Sequence, residues 1–108
     1  MIETRFELAF VEALRKHSTI RSQVERKVRM IMEHPLAMGE PLKGNLRGFY
    51  SCPVKKSYLI IYLFCDACRK KGDDAFVACS DCAESPDLLI KFVLLAPHDD
   101  AYARAAPP

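Results

Sequence analysis

At Phe49 the apolar pattern of this 108-residue chain changes period, and that change constrains the fold more than any other feature. Before it, apolar residues recur at helical spacing; after it, they run together in aromatic and β-branched blocks, as strands do. Phe6, Ala9, Phe10, Ala13 and Leu14 share one helical face, and Thr4 with Glu7 matches a capping box at its start. The segment "STIRSQVERKVRMIMEHP" repeats the pattern. Ser18 or Thr19 caps it, Ile20, Val24, Val28, Ile31 and Met32 line one face, and Pro35 stops it. The spacing predicts two helices joined by a turn near His17, an α-hairpin with one apolar seam.

"PLAMGEPLKGNLRG" has no sustained period and reads as a loop. "FYSCPV" and "SYLIIYLFC", separated by "KK", predict a β-hairpin in which Pro53 marks an edge or a bulge. "LLIKFVLLA" predicts a third strand, and "PHDDAYARAAPP" a helical turn over 99–104 that frays at the final prolines. Helices followed by sequential strands imply a single α+β domain over 1–108. Its two N-terminal helices pack on one face of a small antiparallel sheet, and the other face is open.

No tract is apolar and long enough to cross a bilayer, and "MIETRFELAF" lacks the basic and apolar regions of a secretory leader. The expected location is the cytoplasm, where cysteines stay reduced. Charge is unevenly spread: residues 15–56 hold ten Lys and Arg against three Glu, while the remainder is acidic. Such asymmetry fits a surface that faces a polyanion, and equally a solvated helix face carrying Arg21, Arg26, Lys27 and Arg29.

Between the second and third predicted strands lies "CDACRKKGDDAFVACSDC", two CxxC pairs ten residues apart. Thiolates two residues apart reach one ion from a tight turn, and two such turns complete a tetrahedral site. Cys65, Cys68, Cys79 and Cys82 are therefore the predicted ligands of a structural zinc ion, pinning a hairpin extension over 65–82. Four thiolates leave no open position for water, which argues against catalytic zinc. Iron–sulfur ligation, thiol redox chemistry and unliganded thiols remain alternatives, although no thioredoxin-like βαβ pattern surrounds either pair. Cys52 stands apart and reads as a small buried residue.

"HPLAMGEPLKGNLRGFYSCPVKKSYLIIY" and the C-terminal "VLLAPHDDAY" resemble the RelE/ParE superfamily of toxin–antitoxin toxins. There a helical pair ends in Pro, a "pLkg.l.G.y" loop leads to a strand pair ending in "iiY", and some members close on "HD..Y". The order of these segments carries the resemblance, with the cysteine segment as an insertion. The likeness implies a RelE-like fold that begins with a short edge strand, for which residues 1–5 compete with the helix start at Thr4. It implies a toxin that cuts mRNA on the ribosome and is neutralised by a cognate antitoxin; the ParE branch instead poisons DNA gyrase. A zinc-stabilised binding module sharing only the fold is the third reading, and the sequence leaves oligomeric state open.

Cleavage by a 2′-OH needs an acid and a base, and cations for the crowded negative charge, but no metal. His98, whose imidazole titrates at about 6.5 in model peptides, is the acid/base candidate. Tyr102 would position phosphate or base, and Lys55, Lys56 and Arg47 would clamp phosphates. Tyr50 and Tyr62 read as packing residues, and His17 and His34 as helix C-terminal caps. Many ribonuclease members carry an Arg where this chain has Ser51, and another where it has Leu59.

Overall fold

The capping box predicted at Thr4 does not form. In the computed structural model, which describes residues 2–105 apart from 56, 78 and 80, with only the backbone for 102–105, Glu3–Phe6 is a strand, β1. Helix α1 starts later, at Leu8–Lys16, behind an extended Glu7 that makes no side-chain cap. Pairing wins because β1 finds a partner strand, β5 (Leu89–Pro97), and Phe6 stacks on Phe92 with centroids 5.0 Å apart. Such a pair contributes about 0.5–1.5 kcal/mol beyond its buried area. β1 runs parallel to β5, so the sheet is mixed rather than antiparallel. A parallel neighbour requires a long connection, and here it runs through both helices, three strands and the cysteine segment.

The sheet order is β1-β5-β4-β3-β2, with β2 at Glu40–Pro41, β3 at Tyr50–Val54 and β4 at Tyr58–Phe64. β2 pairs only with Ser51 and Tyr50, which leaves Pro53 on the outer edge, where its missing N–H breaks no ladder. A 3₁₀ turn, Ser18–Ile20, leads into α2, Arg21–Glu33, without a side-chain cap from Ser18 or Thr19. Phe10 and Ala13 of α1 and Val24, Val28 and Ile31 of α2 bury against Tyr50, Cys52, Ile60, Tyr62 and Phe92 on the first face. Full burial of a side chain such as Ile31 stabilises by roughly 1.5–3 kcal/mol.

The second face, expected to be open, is covered. Leu59, Ile61, Leu94 and Ala96 pack beneath Ala101 of a last helix, α4 (His98–Ala105), and beside Leu42 and Phe49. The β4–β5 register shifts beside Ile61 and Tyr62, leaving Val93 without a cross-strand partner in β4, and both Val93 and Leu94 join this second core. The bulge thus lets two consecutive apolar residues contribute to the face that α4 and the 42–49 loop cover.

The cysteine segment lies at the tip of the β4–β5 hairpin, as expected, but does not continue its strands. It opens as a helix, α3 (Cys65–Lys70), and continues through 3₁₀ turns at Asp73–Ala75 and Cys82–Glu84. Asp66 and Lys70 pair across one helical turn at 3.1 Å, and Gly72, with φ of 75°, ends the helix in the left-handed conformation that glycine adopts without strain. The lobe closes over Leu63 and Lys91 on the second face, where a β-carbon at Gly48 would meet Val77. Among the described residues, no helix is long and apolar enough to cross a membrane.

Candidate functional site

The β3–β4 turn and the start of α4 meet at one end of the sheet. Tyr58 pairs with Pro97, and the next backbone N–H, that of His98, donates to Ser57 O at 2.6 Å. This bond fixes His98 beside the turn that carries Lys55. Ser57, Pro97, His98 and Asp99 line an open concavity of about 480 Å³. The His98 ring is more than half exposed, with Nδ1 3.7 Å from an Asp99 carboxylate oxygen. Lys55 is exposed and has φ of 53°. For a residue with a β-carbon that conformation costs about 1–2 kcal/mol; a glycine would hold the turn more cheaply, so the turn alone does not account for a lysine there.

A second concavity of about 300 Å³ adjoins the first through Pro97 and is lined by Glu12, Lys16, His17 and Asp100 among others. His17 does cap α1, its N–H donating to Ala13 O. Its ring also packs edge-on against Tyr58, with Nδ1 3.4 Å from the phenol oxygen. Sequence reasoning missed Lys16, His17 and Tyr58 as residues at the same end of the sheet as His98. The packing of α1 on the sheet brings Lys16 and His17 there, and strand pairing brings Tyr58.

Arg47 is not part of this group. It sits ahead of β3, at the opposite end of that strand from Lys55, where Nε donates to buried Asp73 at 2.6 Å and the guanidinium lies 4.3 Å over the Phe76 ring. Lys56 and the side chain of Tyr102 lie outside the described residues; the backbone of Tyr102 belongs to α4. Ser51 and Leu59 are both buried. Tyr50 and Tyr62 stack at 5.5 Å within the first core, in line with packing roles. Burial pushes the Cys52 thiol above its ordinary value, the reverse of what a nucleophilic thiol requires.

Cys65, Cys68, Cys79 and Cys82 line one cavity of about 10 Å³ together with Arg69, Asp74 and Lys91. Arg69 donates to the carbonyls of Cys82 and Ser85 and lies 3.9 Å from the Cys82 sulfur. Lys91, 3% exposed, donates to Asp81 at 2.9 Å, and Asp81 also pairs with Arg5 of β1. Burial raises the Cys65 and Cys68 thiols, the latter to about 11. Among the described residues, no group of three or more His, Cys, Asp and Glu side chains is arranged as a metal site.

Several solved structures share this architecture. A YoeB/ParE toxin from Agrobacterium tumefaciens superposes with a TM-score of 0.61 at 15% identity, over 90% of this chain and 99% of its own. YafQ from E. coli gives 0.62 at 12% identity, covering 94% and 99%. The E. coli DinJ-YafQ toxin-antitoxin complex gives 0.60 at 13%, covering 94% and 97%. The likeness is one of fold. No family model matches the chain, and no curated protein matches its sequence.

Proposed function

We propose that this protein is the toxin of a toxin–antitoxin pair and acts in the cytoplasm as a metal-independent endoribonuclease on ribosome-bound mRNA. The observation that carries the reading is the junction of His98 with the Lys55 turn, on a fold shared with a YoeB/ParE toxin and YafQ. His98 moves the proton at the 2′-OH or at the leaving 5′-oxygen, and its exposure lets a strand of RNA reach it. Lys55 and Lys56 neutralise the phosphate as charge builds, and Tyr102 positions it. Arg47, remote from His98, holds flanking backbone. No step of cleavage in this reading passes through a metal ion, structural zinc included.

An antitoxin is the expected partner, as the DinJ-YafQ pair supports. Between α1, α2 and β1 runs a groove of about 430 Å³ with an apolar floor that includes Phe6, Phe10, Val11 and Val24, and with Arg21, Glu25 and Arg29 also lining it. Exposed Phe6, Leu8 and Val11 beside it suit an amphipathic antitoxin segment. One observation favours a second reading, a non-enzymatic gyrase inhibitor of the ParE type. The positions where many ribonucleases carry Arg are Ser51 and Leu59, both buried, so two expected cations are missing from the chemistry.

Induction in a bacterial host without antitoxin, with mapping of mRNA 5′ ends, separates the readings. Growth arrest with new in-frame ends, both lost in His98→Ala, is the expected result. Arrest with intact mRNA transfers the protein to the gyrase reading, and no arrest to a binding module. Unchanged cleavage by His98→Ala removes His98 from the mechanism.

A further inference from the structure

Residues 65–88 form a lobe that the rest of the chain does not obviously hold. Among its described residues there is no strand, the buried apolar ones are Cys65, Ala67 and Cys68, and Phe76 and Leu88 are exposed. A connection this long is uncommon in a compact domain, and without an apolar core it has little to offset its ordering entropy. Yet the lobe is folded back, with Asp73 on Arg47, Lys71 donating to Tyr50 at 3.0 Å, and Asp81 on Lys91. Its four thiols, Cys65 and Cys68 buried and Cys79 and Cys82 half-buried, line one cavity of about 10 Å³.

That cavity is close to the smallest that admits one water, roughly 10–15 Å³. Water finds poor hydrogen-bond partners among thiols, whereas a soft divalent ion finds four good ligands at about 2.3 Å. Cys65 and Cys68 project from one turn of α3, and Cys79 and Cys82 bracket the turn that carries Asp81, so each pair can offer two sulfurs to one point. The surroundings suit the charge. A zinc ion with four thiolates carries two net negative charges, and two cations stand at the cavity, Arg69 and the buried Lys91. Asp74 also lines it and Asp81 pairs with Lys91, so the compensation is partial.

We propose that Cys65, Cys68, Cys79 and Cys82 bind one zinc ion, which draws the four sulfurs together and serves as the missing core of the lobe. Each thiol that coordinates releases its proton to solvent, so binding acidifies an unbuffered solution. Through the Arg47–Asp73 pair and the contact of Val77 with Gly48, the ion also fixes the loop that leads into β3. The site stands apart from the His98 end of the sheet and is independent of the toxin reading.

The test is metal analysis of the full chain purified under reducing conditions, followed by Co²⁺ titration. Expected are one zinc per chain and, after exchange, the intense visible and thiolate charge-transfer bands of a tetrahedral all-sulfur Co²⁺ site. Cys79→Ser should lose the ion and Cys52→Ser keep it. If Cys79→Ser fails to fold, chelation of the wild-type chain gives the same answer. Proteolysis should then open within 65–88 while the sheet retains its circular dichroism. Reduced protein that holds no zinc and gives no Co²⁺ bands overturns the proposal, as does a chain isolated with iron in these thiols.

Discussion

Replacing Gly39 by Ala tests how closely the loop ahead of the β-hairpin is held against the sheet. A β-carbon at Gly39 would lie 2.3 Å from the Tyr62 hydroxyl oxygen and 2.8 Å from two of its ring carbons, closer than real β-carbons come. Tyr62 cannot swing aside, because it is fully buried and its hydroxyl donates to Pro35 O at 2.6 Å. Burial holds that phenol well above its ordinary pKa, so it remains a donor at any pH the fold tolerates. Gly39 has no positive φ, so Ala is conformationally allowed there, and the reduced freedom of the unfolded chain would favour it by about 0.4–1 kcal/mol. Overpacking costs about 1–3 kcal/mol, and displacing the Tyr62 bond about 1 kcal/mol more. The net expectation is a loss of about 1–3 kcal/mol. Tyr62→Phe alone should lose about 1 kcal/mol. In the double variant the 2.3 Å contact and the hydrogen bond are both already gone, so its loss falls short of the sum of the singles. Urea unfolding followed by circular dichroism reads all three. A Gly39→Ala chain as stable as wild type, or strict additivity in the double variant, refutes the packing argument.

Two further outcomes follow from exposed and half-exposed groups. Val11→Asp, at the mouth of the α1–α2 groove, should leave folding intact and weaken neutralisation by the antitoxin at least tenfold, about 1.4 kcal/mol; co-expression of the pair with growth as readout checks it. Arg47→Ala leaves the buried Asp73 carboxylate unpaired and should destabilise by about 1 kcal/mol in urea unfolding. Because Arg47 lies at the far end of β3 from His98, growth arrest should fall far less in this variant than in His98→Ala.

The elements that the sequence made legible are those whose own side chains form their apolar face. Val24, Val28 and Ile31 mark α2, and the run from Tyr58 to Phe64 marks β4, without knowledge of any neighbour. What stayed hidden depends on a distant partner. β1 is four residues long and is decided by β5, so local cap chemistry at Thr4 pointed the other way. β2 has two residues and exists only through Tyr50 and Ser51. The helical start of the cysteine segment was masked by reading CxxC as a turn, although the Asp66–Lys70 spacing was a helix signal. At the site, the nearness of His98 to the Lys55 turn required the β4–β5 register, and the contact of His17 with Tyr58 required the packing of α1 on the sheet.

The covered second face bears most on where chemistry can take place. A sheet with one bare face would let RNA lie across its strands, and side chains at Ser51 and Leu59 would then touch it. Here those positions lie in the interior, with Ala101 and Leu42 over the middle of the face and the cysteine lobe over Leu63 and Lys91. Under the proposed function, RNA would have to be met at the rim, where His98, Lys55 and Lys16 are exposed beside the two adjoining concavities. The rim holds two of the three imidazoles, His17 on Tyr58 and His98 beside Asp99, so the proposed acid/base chemistry needs no group from the face. If the chain cleaves RNA, the chemistry takes place at the ends of the strands and not at buried Ser51 or Leu59.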